Sequence, residues 1–205
     1  MKIKAVFFDF EGVITKDGRI CHSILFPSLK KWVSLEELYK RYEEGKYGLL
    51  NEKDFFKGIP KEHRYNFLKK VKYNKGTKQT VEKIGKKIKV FIASNHVKCV
   101  FESELKKLGC EKLFNKIFMS AYIKLAKPDK DFFYYMLKKT KLNSKNCIFV
   151  DDAKRNLIPA KEIGFITVWM NTKTFDVRNE NNFKADFEIQ NMKELIKIVN
   201  TLNLN

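Results

Sequence analysis

Asp9, Ser94 and the pair Asp151-Asp152 each stand directly after a short apolar run, and Lys127 follows a weaker run at a short distance. A carboxylate can attack phosphorus directly and give an acyl-phosphate. Nucleophile and substrate are then both anionic, and a divalent cation removes their repulsion and polarises the phosphoryl oxygens. Magnesium takes hard oxygen ligands and keeps several waters, so a few carboxylates suffice, and Asp9 and Asp152 can supply them. Ser94 offers a hydroxyl and nearby backbone N–H groups to a phosphoryl oxygen, and Lys127, in LAKPD, offers positive charge.

Each position also has a plain structural reading. Aspartate after a strand often caps a helix or forms a turn. Ser94-Asn95 fits the cap of a helix beginning near His96, Asp151-Asp152 fits a cap before Ala153, and Lys127 is one lysine among many. Singly these readings are the better ones; four such placements in this order are hard to ascribe to capping.

The elements that must hold these residues follow from the apolar pattern. Residues 3–8 (IKAVFF), 88–93 (IKVFIA), 147–150 (CIFV) and 165–169 (FITVW) read as buried strands, with IFMS at 117–120 a weaker one. Helical patterns cover residues 96–108, 129–140 and 153–163, the first stopping at Gly109 and the last at Gly164. The tail ADFEIQNMKELIKIVNTL suggests a short strand and a closing helix. Strands alternating with helices predict an α/β fold, a Rossmann-like parallel sheet with helices on both faces. In such a sheet the carboxyl ends of the strands share one edge, where ligands bind. Residues 22–87 break the rhythm: SLEELYKRYEEGKYG and EKDFFKGI look helical, with Ser34 three residues before Glu37. A small all-helical cap inserted between the first two strands is expected. The predicted division is a core of residues 1–20 and 80–205 and a cap of residues 21–79.

Composition bounds the alternatives. The 205 residues carry 44% hydrophobic and 32% charged side chains, a globular balance. No apolar run approaches the roughly 20 residues that span a bilayer, and AVFF after MKIK is too short and too soon followed by Asp9 and Glu11 for a signal peptide. The expectation is a soluble cytoplasmic protein with no membrane partner. Cys21, Cys99, Cys110 and Cys147 form no CxxC pair and read as buried thiols. His22, His63 and His96 show no partner pattern and receive no catalytic role; His96 is placed near the site entrance. The net charge of +18 would draw any polyanion. The lysines are spread along helical patterns, so a solvated surface accounts for them better than a nucleic-acid site, and the same field favours a small phosphorylated substrate.

The segments DFEGVIT (9–15), FIASN (91–95), KPDKDFF (127–133) and FVDDAKRN (149–156), in this order, make the chain resemble the haloacid dehalogenase-like (HAD) hydrolase superfamily. The resemblance covers residues 1–20 and about 80–170, and the helical insert resembles the small cap many members carry. It implies Asp9 as nucleophile and magnesium ligand. It implies Glu11 as general acid/base, its main-chain carbonyl binding the metal. Ser94 would hold the transferring phosphoryl group with Asn95 close by, and Lys127 would steady that group and the nucleophile. Asp152 would bind Mg2+ directly and Asp151 through water, while Asn156 would orient the acidic cluster or Lys127. Most phosphatases of the superfamily have aspartate where this chain has Glu11; enolase-phosphatases are similar to it in carrying glutamate. Dehalogenases lack a carboxylate there, which argues against that activity.

The expected function is a magnesium-dependent phosphatase acting on a small phosphorylated metabolite through an aspartyl-phosphate on Asp9. A phosphotransferase or sugar-phosphate mutase would use the same intermediate with a different acceptor. A non-enzymatic basic nucleic-acid binder ranks below both, since every candidate catalytic position holds usable chemistry. Arg41, Tyr42, Tyr47 and Arg64 in the insert fit surface or packing roles better than substrate contact.

Overall fold

In the computed structural model, which describes residues 2–171 and 182–204, the apolar runs become strands of one parallel sheet. They are β1 (Ala5–Phe8), β2 (Lys89–Ser94), β3 (Lys116–Met119), β4 (Cys147–Asp151), β5 (Ile166–Met170) and β6 (Phe187–Ile189). Their order is β3-β2-β1-β4-β5-β6. The chain builds outward from β1 to β3 on one side and from β4 to β6 on the other, so the order reverses between β1 and β4. Phe8 pairs with Ile92 on one flank and Val150 on the other. Asp9 therefore emerges level with the ends of β2 and β4, its N–H donating to the Val150 carbonyl at 2.8 Å.

The helices are α1 (Phe26–Leu29), α2 (Leu35–Gly45), α3 (Glu52–Phe55), α4 (Thr77–Gly85), α5 (Lys98–Leu108), α6 (Ser120–Ile123), α7 (Lys130–Thr140), α8 (Lys154–Ile163) and α9 (Met192–Leu204). The period-2 alternation of β1 divides the core. Val6 and Phe8 join Val81 and Ile84 of α4, Phe101 of α5 and Leu195 of α9, whereas Ala5 and Phe7 join Phe132, Phe133 and Met136 of α7 and Leu157 and Ala160 of α8. Both faces are thus covered, as fully apolar parallel strands require.

A third apolar cluster gathers Ile20 with Leu25, Phe26, Leu38, Phe55, Phe56 and Phe67 of the helical insert and rests them on Val97, just before α5, and Val100 in its first turn. α4 packs against the sheet rather than into this cluster. Ser34 accepts from the Glu37 N–H at 3.2 Å and caps α2. The Glu37 carboxylate pairs with Arg41 at 2.8 Å, so only half of a capping box forms. Among the described residues no helix is long and apolar enough to cross a membrane.

Candidate active site

The reversal of strand order leaves a crevice at the carboxyl edge of the sheet, and a cavity of about 780 Å³ opens there between sheet and insert. Asp9, Glu11, Ser94, Asn95, Lys127, Asp152 and Asn156 all line it. Asp151 lies just beneath, fully buried as the last residue of β4. Residues up to 147 positions apart in the chain (Asp9 to Asn156) thereby share one site.

Lys127 is the hub. Its ammonium lies 2.9 Å from Asp9 Oδ1 and 2.7 Å from Asp151 Oδ2. Asn95 fixes its backbone from both sides, donating to the Lys127 carbonyl at 2.6 Å and accepting from its N–H at 2.8 Å. Asn156 donates to both oxygens of Asp151, at 3.1 and 3.0 Å, and the Ala153 N–H donates to Oδ1 at 2.8 Å. Asp151 is thus engaged in holding Lys127, which places Asn156 on the acidic cluster rather than on the lysine itself.

Asp9, Asp151 and Asp152 each present an oxygen within 4.8 Å of the others. Burial chiefly, then the nearby Asp151, pushes the Asp9 carboxyl up to about 7 against the pull of Lys127. Burial followed by Asp151 and Asp9 holds Asp152 well above the usual carboxylate range. Burial would lower the Lys127 ammonium, but Asp151 and Asp9 outweigh it and keep it above its ordinary value. A carboxylate cluster this crowded and only partly neutralised by one lysine fits a small divalent cation with hard oxygen ligands.

The turn after β1 sets how closely the carboxylates approach. The Thr15 N–H closes on the Phe10 carbonyl at 2.9 Å. Gly12 adopts φ 80°, and a Cβ there would stand 2.2 Å from Asp152 Oδ2. A side chain at position 12 would occupy the place of the Asp152 carboxylate.

Glu11 turns toward a group that the sequence reading missed. His96 is only 1% exposed, not a residue of the entrance. Its Nε2 lies 3.0 Å from Glu11 Oε1 and 3.4 Å from Oε2 of Glu104, which is fully buried on α5. Burial would lower the imidazole, but Glu11 and Glu104 outweigh it and raise it to about 10. The signal was present in the sequence: position 104 falls on the apolar stripe of Val100, Phe101 and Leu105, where a carboxylate needs a partner.

Of the insert residues considered, Tyr42 lines the cavity. Arg41 binds the carbonyls of Phe55 and Lys57 at 3.1 and 2.7 Å, and Arg64 that of Ile59 at 3.0 Å; both tie the insert together. Cys21, Cys99, Cys110 and Cys147 are free thiols.

Known proteins place this architecture. The chain is 31% identical over 100 residues to a glyceraldehyde 3-phosphate phosphatase of Methanocaldococcus jannaschii, a match covering 48% of this chain and 43% of that protein. The chain spans less than half the length of the curated relatives it matches. Among solved structures, a HAD phosphatase from Thermococcus onnurineus superposes with a TM-score of 0.72 at 21% identity, covering 96% of this chain and 98% of that one. A HAD family enzyme from Bacteroides thetaiotaomicron, solved with magnesium and inorganic phosphate, gives 0.71 at 20% identity over 89% of this chain and 100% of that one. The profile of haloacid dehalogenase-like hydrolases matches residues 6–170, and the chain belongs to that family.

Proposed function

We propose that this chain is a magnesium-dependent phosphatase that hydrolyses a small phosphomonoester through an aspartyl-phosphate on Asp9. The observation that carries the reading is the buried Asp9 carboxylate, 2.9 Å from the Lys127 ammonium on the floor of the cavity. The similarity to a protein named as a phosphatase supports it.

Asp9, Asp152 and the main-chain carbonyl of Glu11 would hold the cation, with Asp151 reaching it through water. The cation supplies charge neutralisation between the carboxylate and the phosphoryl oxygens. Lys127 and Ser94 steady the phosphoryl group. An Asp9 oxygen forms a bond to phosphorus as the ester P–O bond breaks, and the leaving alkoxide takes a proton from Glu11. Glu11 then removes a proton from water, which attacks phosphorus and frees Asp9 with release of inorganic phosphate. The helical segment forms a cap over the cavity and excludes bulk water.

Phosphate release from a panel of phosphorylated metabolites, with and without magnesium, tests this. Magnesium-dependent turnover is expected in the wild type, with a loss of about 10³-fold or more in Asp9→Asn, which removes the nucleophile. No turnover, or equal turnover in Asp9→Asn, overturns the reading. Free phosphate as sole product separates it from a mutase.

A further inference from the structure

The cavity is much larger than a phosphoryl group, and its lining carries charge that the reaction centre does not use. Arg19, from the loop after β1, and Arg155, from the first turn of α8, both line it and are half-buried. Neither takes part in an ion pair with a described residue, whereas the neighbouring Lys46 is paired with Glu43. Half-buried guanidiniums that face a cavity without an ion-pair partner are costly unless an anion meets them there.

Two further observations bear on the same place. Arg19 holds φ 53°, a left-handed conformation that is unfavourable for a non-glycine residue and persists where the surroundings demand it. Both arginines act on one imidazole, His22, which also lines the cavity. Burial chiefly, and the two arginines, hold His22 below its ordinary value against the pull of Glu11 and Glu43. His22 is packed by the rings of Phe26, Tyr39 and Tyr42 at 4.7–5.2 Å, and its buried Nδ1 has no hydrogen-bond partner. Two guanidiniums that pair with no described residue therefore share the cavity with one neutral imidazole that carries an unused polar atom.

We propose that Arg19 and Arg155, together with His22, form a second anion subsite, and that the substrate is a phosphomonoester bearing a second anionic group, a carboxylate or a second phosphate, at its other end. Guanidinium forks bind either group through paired charge-assisted hydrogen bonds. Binding energy gained at this remote end is available for orienting the scissile phosphate over Asp9. This inference rests on the phosphatase reading above for its chemistry, though not for its binding.

The test uses three phosphomonoesters of one chain length: 3-hydroxypropyl phosphate, 3-phosphonooxypropanoate and propane-1,3-diyl bisphosphate. Wild type should favour one anionic-ended ester over the neutral-ended one by about 10–100-fold in kcat/KM, the value of one or two charged hydrogen bonds. Which anionic arm wins identifies the second group. Arg19→Gln and Arg155→Gln should each cut that ratio by about tenfold, and Arg155→Lys should restore part of it. A wild type that does not discriminate, or a ratio unchanged in both variants, overturns the proposal.

A turnover-free arm keeps the two readings apart. Calorimetry should show propane-1,3-bisphosphonate binding at least about tenfold tighter than propylphosphonate, an advantage lost in Arg155→Gln. Equal affinities overturn the subsite even in an active enzyme. A retained advantage in a chain that releases no phosphate overturns the phosphatase reading alone.

Discussion

Glu11 reaches one methylene further than an aspartate, and its carboxylate meets the buried His96, itself held by Glu104, between the turn after β1 and α5. The imidazolium has two carboxylate neighbours and is itself only 1% exposed, so removing one partner is expensive. Glu104→Ala should cost about 3–5 kcal/mol, as breaking buried pairs does, and Glu104→Gln less, read from denaturant midpoints. The pH dependence has a definite sign. His96 is raised from 6.5 to about 10 in the folded chain, so its contribution is fully present below pH 6.5 and is lost as pH rises through about 10. His96→Gln should therefore flatten the stability profile across that window; an unchanged slope would show that His96 is not protonated there. Asp9, Ser94, Lys127 and the Asp151-Asp152 pair were legible in the sequence because each ends or follows an apolar run. Glu104 was passed over despite its place on the apolar stripe, because a helix pattern is read from its apolar positions and one acid among them passes as noise. Arg19 and Arg155 were hidden for another reason: two cations among 42 lysines and arginines carry no signal until the fold shows which of them line the cavity.

The alternation of strands and helices was readable because parallel strands buried on both faces appear as continuous apolar runs. Element ends moved by one or two residues: β1 starts at Ala5 rather than 3, and Ser94 and Asp151 close their strands instead of following them. Those shifts matter, since a side chain that closes a strand is held by the ladder, not by a loop. The turn after β1 is an irregular element whose shape the site depends on. Gly12→Ala would combine a left-handed φ of 80° with a Cβ 2.2 Å from Asp152 Oδ2. The conformational penalty alone is about 1–2 kcal/mol, and the clash would displace Asp152. Lower thermal stability together with a magnesium requirement raised by about tenfold or more is expected, since a displaced ligand weakens cation binding. Wild-type magnesium dependence in the Gly12→Ala variant would mean that Asp152 does not ligate the cation.

At the scale of the whole molecule, a chain of net charge +18 concentrates carboxylates at one sheet edge. The general field attracts phosphorylated anions, while the local cluster opposes its own ionisation. Asp9 is raised from 3.8 to about 7. A raised carboxyl contributes stability that is present below pH 3.8 and lost as pH rises through about 7. The metal-free protein should therefore lose stability between pH 5 and 8. A divalent cation bound by the folded cluster reverses that loss, and more strongly where the carboxylates are ionised. At about a hundredfold excess over Kd the linkage is worth about 2.7 kcal/mol, or about 5–10 °C in Tm for a chain of this size. Thermal melts with magnesium or with a chelator should show the larger shift at pH 8, a small one at pH 5, and a metal-free Asp9→Asn that melts above the metal-free wild type at pH 8. Equal magnesium shifts at both pH values would show that the cation binds away from the Asp9–Asp152 cluster and would remove the metal from the proposed chemistry.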